Sequence, residues 1–229
     1  MNLQSNRHAH LSSFQWRSLL AKGSLHRQNV IPLVGVVVAD SVLLFMLLNG
    51  WEISEETSTR LIALRAITSL IAGTAVLLLA GFFPAGLKDV LVFWRFRDVL
   101  PGHRAFSDRT LSDPRIDTEK LRRNITFTFP AEAREQNSAW YRLFKKVEAE
   151  GSVEHCNHNF LLFRELAAIS ALATVISIGL SVIKPNMKYV TEVATIVFAL
   201  QYLLAAISSA NYGRRLVTTV LAAHSVKRR

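Results

Sequence analysis

Four long apolar stretches, at 30–48, 61–83, 160–183 and 189–210, constrain this chain more than any other feature. Each is about 20 residues, the length at which a helix rising about 1.5 Å per residue crosses the hydrocarbon core of a bilayer. Inside lipid every backbone polar group must find its partner within the segment, and a helix meets that demand where an open strand fails. The gaps are unequal: two are short, and the one between the second and third stretches is 84–159. The expected fold is therefore an all-α membrane protein. Its four transmembrane helices form two hairpins, 30–83 and 160–210, with a small, mostly helical insert between spans 2 and 3.

A half-hydrophobic composition with a formal net charge of +10 would be odd for a water-soluble domain and is ordinary for a small multi-pass protein. The single cysteine, Cys156, excludes an internal disulfide. Basic residues precede the first stretch, as in a signal peptide. That stretch is longer than the usual h-region of about 7–15 residues and no small-residue cleavage site follows it, so it reads as a retained span.

Lysine and arginine counts orient the spans. The tail 1–29 holds Arg7, Arg17, Lys22 and Arg27 and no acid. The loop after span 1 holds Glu52, Glu55 and Glu56 against Arg60. Segment 84–159 carries thirteen bases and eleven acids, and the tail 211–229 carries Arg214, Arg215, Lys227, Arg228 and Arg229. Both tails and the middle segment are expected in the cytoplasm, at a bacterial inner membrane. Basic tails beside spans suit anionic headgroups. Neither tail interleaves its bases with a stacking platform of aromatics, which argues against nucleic acid. Phe14 and Trp16, with Leu11 and Leu19, suit an interfacial amphipathic helix.

Within the middle segment, Leu87, Val90, Leu91 and Trp94 recur at helical spacing, as in a helix running along the headgroups. Ser112-Asp113-Pro114 is expected to cap a short helix through about Arg123. Asn124–Phe129 alternates like a strand, but one short strand alone is unstable. Asn124-Ile125-Thr126 matches a glycosylation sequon without consequence on the cytoplasmic side. A helix after Pro130 presents Trp140, Leu143, Phe144 and Val147 on one face. This unit is too small for a generous core of its own and is expected to lean on the inner ends of the spans or on other copies.

Polar residues inside spans are the first candidates for function. Asp40, Thr74, Thr174 and Gln201 fall near mid-depth and form an expected polar layer, either lining a pore or gluing helices together by hydrogen bonds. Arg65 and Glu192, one turn inside the outer face, are expected to pair across spans 2 and 4. Arg164 and Glu165 lie one turn inside the inner face. Neighbours on a helix point about 100° apart and pair poorly with each other, so each is expected to line an inner vestibule or to bind the middle segment. Small residues four apart (Gly35/Ala39, Ser69/Gly73, Ala167/Ala171, Ala205/Ser209) permit close helix approach and an oligomer.

No nucleophile elbow, P-loop, zincin motif or dinucleotide turn is present in the sequence. Glu154-His155-Cys156-Asn157-His158 is the densest group of potential ligands, with His155 and His158 on one helical face. Zinc takes three or four ligands, so His103 would have to join them; the plain reading is a polar juxtamembrane helix. Arg134, Gln136, Asn137 and Trp140 cluster on one helix, either to hold a ligand or to dock against 113–117. No metal or other cofactor is expected.

Four spans around a cytoplasmic insert resemble, in outline, the small four-span membrane effectors of bacterial anti-phage defence systems. That resemblance implies a non-enzymatic homo-oligomer whose cytoplasmic part senses a protein or small molecule and whose spans respond, as by opening a pore. The alternatives are a small ion- or proton-coupled transporter built on Asp40 and, behind it, a membrane metalloenzyme using His103, His155 and His158.

Overall fold

The computed structural model describes residues 29–47, 59–125, 128–184 and 188–226. All regular structure among them is helical. Four helices are long and apolar enough to cross a membrane: α1 (Asn29–Leu47), α2 (Thr59–Gly81), α7 (Gly151–Ile183) and α8 (Lys188–Val226). The chain between α2 and α7 forms α3 (Ala85–Phe93), a 3₁₀ turn (Pro101–Arg104), α4 (Asp108–Leu111), α5 (Thr118–Asn124) and α6 (Ala133–Val147). The interfacial helix expected around Trp16 and the loop acids Glu52, Glu55 and Glu56 lie outside the described residues.

Helices α7 and α8 form the spine. Cys156 meets Thr219, Phe160 meets Ser209, and Ala173 clusters with Ala194 and Phe198, so the two run antiparallel along most of their length. Small residues let them close up. Ala167, Ala205 and Ser209 are buried between them, and the Ser209 hydroxyl donates to the Phe160 carbonyl at 3.0 Å. On α2, a Cβ at Gly73 would run into the Ser41 hydroxyl of α1, so that glycine brings the first two helices together. Gly35, by contrast, has open space beside it. The shares of the most apolar window that are buried, 33% in α7 and α8 against 11% in α1 and 6% in α2, place the core in the second pair.

The two spine helices are much longer than their apolar parts. Thirty-three and 39 residues reach about 50 and 58 Å, against roughly 30 Å of hydrocarbon. The excess is at one end: the first turns of α7 and the last turns of α8. The basic tail expected from 211 onward is thus no tail up to Val226. It is the continuation of α8, and its Leu216, Val217, Val220 and Leu221 are buried in the largest core cluster of the molecule.

The middle segment wraps that extension. Ala139, Leu143, Phe144 and Val147 of α6 pack on α8 beside Leu121 of α5 and Ala105–Phe106. The α6 face is the one that helical spacing gives, with Trp140 packed at its margin. The segment has little core of its own and folds onto the spine instead, which its small size demands. Asn124 ends α5 by donating to the His224 carbonyl at 2.9 Å, and the His224 ring donates to the Leu143 carbonyl at 3.0 Å.

One local expectation changes. The cap of α5 is Asp117, whose side chain accepts the Lys120 amide at 2.9 Å. Asp113 instead folds back on Arg115, which it binds through both the backbone amide and the guanidinium. The Arg134–Trp140 face of α6 docks against the 3₁₀ turn, and Ile116 of 113–117 shares a core cluster with α6. A Cβ at Gly102 would strike Asn137 Oδ1 and come to 2.9 Å from the Trp140 ring. Segment 113–117 lies against α8, where Arg115 donates to Thr218 at 2.7 Å.

Candidate functional site

Below the apolar part of the spine, α3 presses its Lys88 and Asp89 against α7. Both are almost wholly buried, at 7% and 8% exposure. Lys88 Nζ is hydrogen-bonded to Glu165, and Arg164 reaches Asp89 at 3.2 Å. Arg164 also meets Glu165 at 3.4 Å and lies 5.7 Å above the Phe160 ring. Two bases and two acids thus form a closed, neutral group. Buried charge is costly unless paired and hydrogen-bonded, and here each charge has an opposite one.

The sequence reading singled out Arg164 and Glu165 and left open what they bind. They bind α3. Their partners Lys88 and Asp89 were missed, because a basic amphipathic helix after a span reads as one lying on headgroups. The signal was adjacent: a Lys-Asp pair on a short apolar helix, opposite an Arg-Glu pair on the next span. Burial raises the Asp89 carboxyl above its usual range, and the Arg164 charge opposes that shift.

A clamp at the end of α3 holds the cluster closed. Trp94 takes a left-handed backbone conformation, φ 52°, which terminates the helix, and its amide donates to the Val90 carbonyl at 2.8 Å. A bulky residue there is strained. The strain is offset by a relay in which the Trp94 indole donates to the Tyr202 hydroxyl and that hydroxyl donates to the Leu91 carbonyl, each at 2.8 Å. The relay pins α3 to α8 while the charge cluster pins it to α7.

Asp89 also lines a cavity of about 530 Å³ together with Arg97, Asp98, His103, Glu132 and Arg134. His103 faces Asp98 at 3.8 Å, and its other ring nitrogen lies 3.1 Å from the Leu100 carbonyl. So Arg134 and His103, read separately from the sequence, share one cavity. His155 contacts Asn159 and packs edge-on to Tyr212, and His158 Nδ1 is buried without a hydrogen bond. Among the described residues no three metal-binding side chains converge. Gln136 is a strut: its Oε1 accepts the Phe106 amide and its Nε2 donates to the Ala131 carbonyl.

Higher in the spine, Gln201 Nε2 donates to Asp40 Oδ2 at 3.4 Å, joining α1 to α8. Thr74 and Thr174 hydrogen-bond within their own helices. Each hydroxyl donates to the carbonyl four residues earlier, and Thr74 is exposed on the outside of α2. Glu192 pairs with Lys188, one turn earlier in α8, at 3.8 Å. Its expected partner Arg65 is on α2, which packs along α7.

Comparison of the chain with protein-family models, with curated proteins and with solved structures gives no match. What this architecture establishes is a class: an all-helical protein with four helices fit to span a membrane.

Proposed function

We propose that this is a non-enzymatic membrane protein, working as a homo-oligomer, in which a cytoplasmic sensing unit controls the transmembrane helices. The carrying observation is the continuity of α7 and α8 from the apolar region into the core of the middle-segment unit. A rigid helix shared by two regions transmits a tilt or rotation between them without a hinge. The Lys88–Glu165 and Arg164–Asp89 pairs tie α3 to the same helix, at the point where the two regions meet.

The topology belongs to the same reading: two hairpins dipping outward, an insert between them, and both termini and the insert in the cytoplasm. The contacts of Asn124 and Leu143 with the end of α8 support it, because they require the insert and the C-terminal part of the chain on one side. The balance of bases between segments supports the cytoplasmic side. The setting in a bacterial inner membrane and in phage defence rests on the resemblance of outline alone.

A second reading, an ion- or proton-coupled transporter, is favoured by the Asp40–Gln201 contact between α1 and α8. One experiment separates the two. The full chain is reconstituted in liposomes and ion flux is followed by a potential-sensitive dye, with and without a pH gradient. A responding pore depolarises the liposomes without a gradient, and Asp40→Leu blocks it. A carrier needs the gradient and fails in Asp40→Asn. Absence of flux under every condition overturns both readings.

A further inference from the structure

Sharing Val99 with the cavity beside Asp89, another of about 310 Å³ is lined by Arg95, Arg104, Arg109 and Arg214. Phe93 and Val217 are among its apolar lining residues. None of its lining residues is acidic. The arginines come from four places: the chain after α3, the 3₁₀ turn, α4 and the extension of α8. They converge through tertiary folding, not as a run in the sequence, and all four are exposed.

Other arginines of this protein are matched: Arg115 with Asp113 and Arg164 with Asp89. Among the described residues none of the four has an ion pair. Arg104 donates to the Asp98 carbonyl and Arg214 to Asn211 Oδ1. The Asp98 carboxylate faces His103 at 3.8 Å. Partial burial, and behind it the charge of Arg95, lower the Arg104 guanidinium from its usual range, and the charge of Asp98 partly offsets that lowering. Like charges held together work against the fold, and an anion in the cavity would relieve that.

We propose that this cavity binds a phosphate-bearing anion. Guanidinium forks match phosphate oxygens in pairs and are the preferred side chain for them. The volume, at the lower end of small-ligand sites, admits a phosphorylated headgroup or a small soluble phosphate. Position favours the headgroup. The wall residue Phe93 is followed by Trp94, 56% exposed, and Phe96, 90% exposed. Aromatic side chains of this kind sit at the headgroup level of a bilayer, which would put the cavity beside lipid phosphates. Binding there does not require the spans to conduct.

The test uses the full chain in detergent and reads the shift of the thermal unfolding midpoint. Short-chain phosphatidylglycerol is one probe, short-chain phosphatidylcholine its zwitterionic control, and pyrophosphate the soluble probe. Arg95→Gln with Arg109→Gln removes two exposed guanidiniums from the cavity. Lys146→Gln with Arg123→Gln changes the net charge equally elsewhere. Stabilisation by phosphatidylglycerol alone identifies a lipid headgroup, and stabilisation by pyrophosphate a soluble ligand; either supports the site if the Arg95/Arg109 variant binds the active probe about tenfold more weakly and the Lys146/Arg123 variant does not. No shift with phosphatidylglycerol or pyrophosphate, equal binding by the Arg95/Arg109 variant, or equal weakening in the control variant overturns it.

Discussion

Arg164 of the third long helix lies 3.2 Å from Asp89 of the short helix α3, and the pair joins the spine to the segment that wraps it. Asp89 is nearly out of contact with water. Removing its partner strands a buried carboxylate, which costs about 3–5 kcal/mol, whereas replacing both charges by apolar groups is often neutral. Arg164→Met is therefore expected to destabilise strongly, and Arg164→Met with Asp89→Leu to recover most of the loss. Unfolding in detergent across the double-mutant cycle measures the coupling. Additive losses would show that the two side chains do not stabilise each other.

Gly102 sets the seat of α6. A methyl group there collides with Asn137 Oδ1 and presses on the Trp140 ring. Overpacking of this kind costs about 1–3 kcal/mol. Gly102→Ala should lower the unfolding midpoint and speed amide exchange in α6. Gly86→Ala, where the added carbon meets nothing within 4 Å, serves as its control. Equal effects of the two substitutions would remove the tight seat as the explanation.

Span number and helical class were legible in the sequence because hydropathy over about 20 residues is a long, redundant signal. The ends of the spine helices were not. Past 210 the chain reads Asn211, Tyr212, Arg214 and Arg215, polar enough to pass for a tail, while every third or fourth residue from Gly213 to Leu221 is apolar or small. Helical periodicity was present there, but a charge count overrode it. Asp40 and Gln201 could be matched by depth alone, since spans impose a common axis. Arg65 and Glu192 share a depth too, but α2 packs along α7. Depth does not tell which helices are neighbours. The arginine cavity was invisible because its members are scattered from 95 to 214.

Asp113 carries the acid sensitivity of the loop before α5. Its hydrogen bonds from Arg115 hold the carboxyl down to about 2, against an ordinary value of 3.8. A carboxyl depressed in the folded state stabilises fully above its unfolded value. That contribution fades as pH falls from about 4 through 2. Arg115 is half exposed, so the size is that of a surface pair, below about 1 kcal/mol. Asp113→Asn should flatten the acid limb of a stability–pH profile by that amount and leave the profile near neutrality shifted by a constant. An unchanged acid limb would mean that Asp113 is not held by Arg115 in solution.

The extension of α8 beyond 210 decides between a headgroup-binding tail and a structural core. If the bases of that stretch held it against lipid, neutralising them would matter most and trimming its apolar side chains would matter little. The fold requires the reverse. Leu221 is completely buried among Leu143, Val147 and Val153, whereas Arg215 points to solvent. Leu221→Ala should cost about 2–5 kcal/mol, loosening α5 and α6 together, because both rest on the same face of α8. Arg215→Gln, away from any such feature, should stay within about 0.5 kcal/mol. Limited proteolysis of the full chain in nanodiscs reads the difference: cleavage in the middle segment accelerates in Leu221→Ala and keeps its wild-type rate in Arg215→Gln. The opposite order would return 211–226 to the membrane surface and take from the middle segment the helix it folds on.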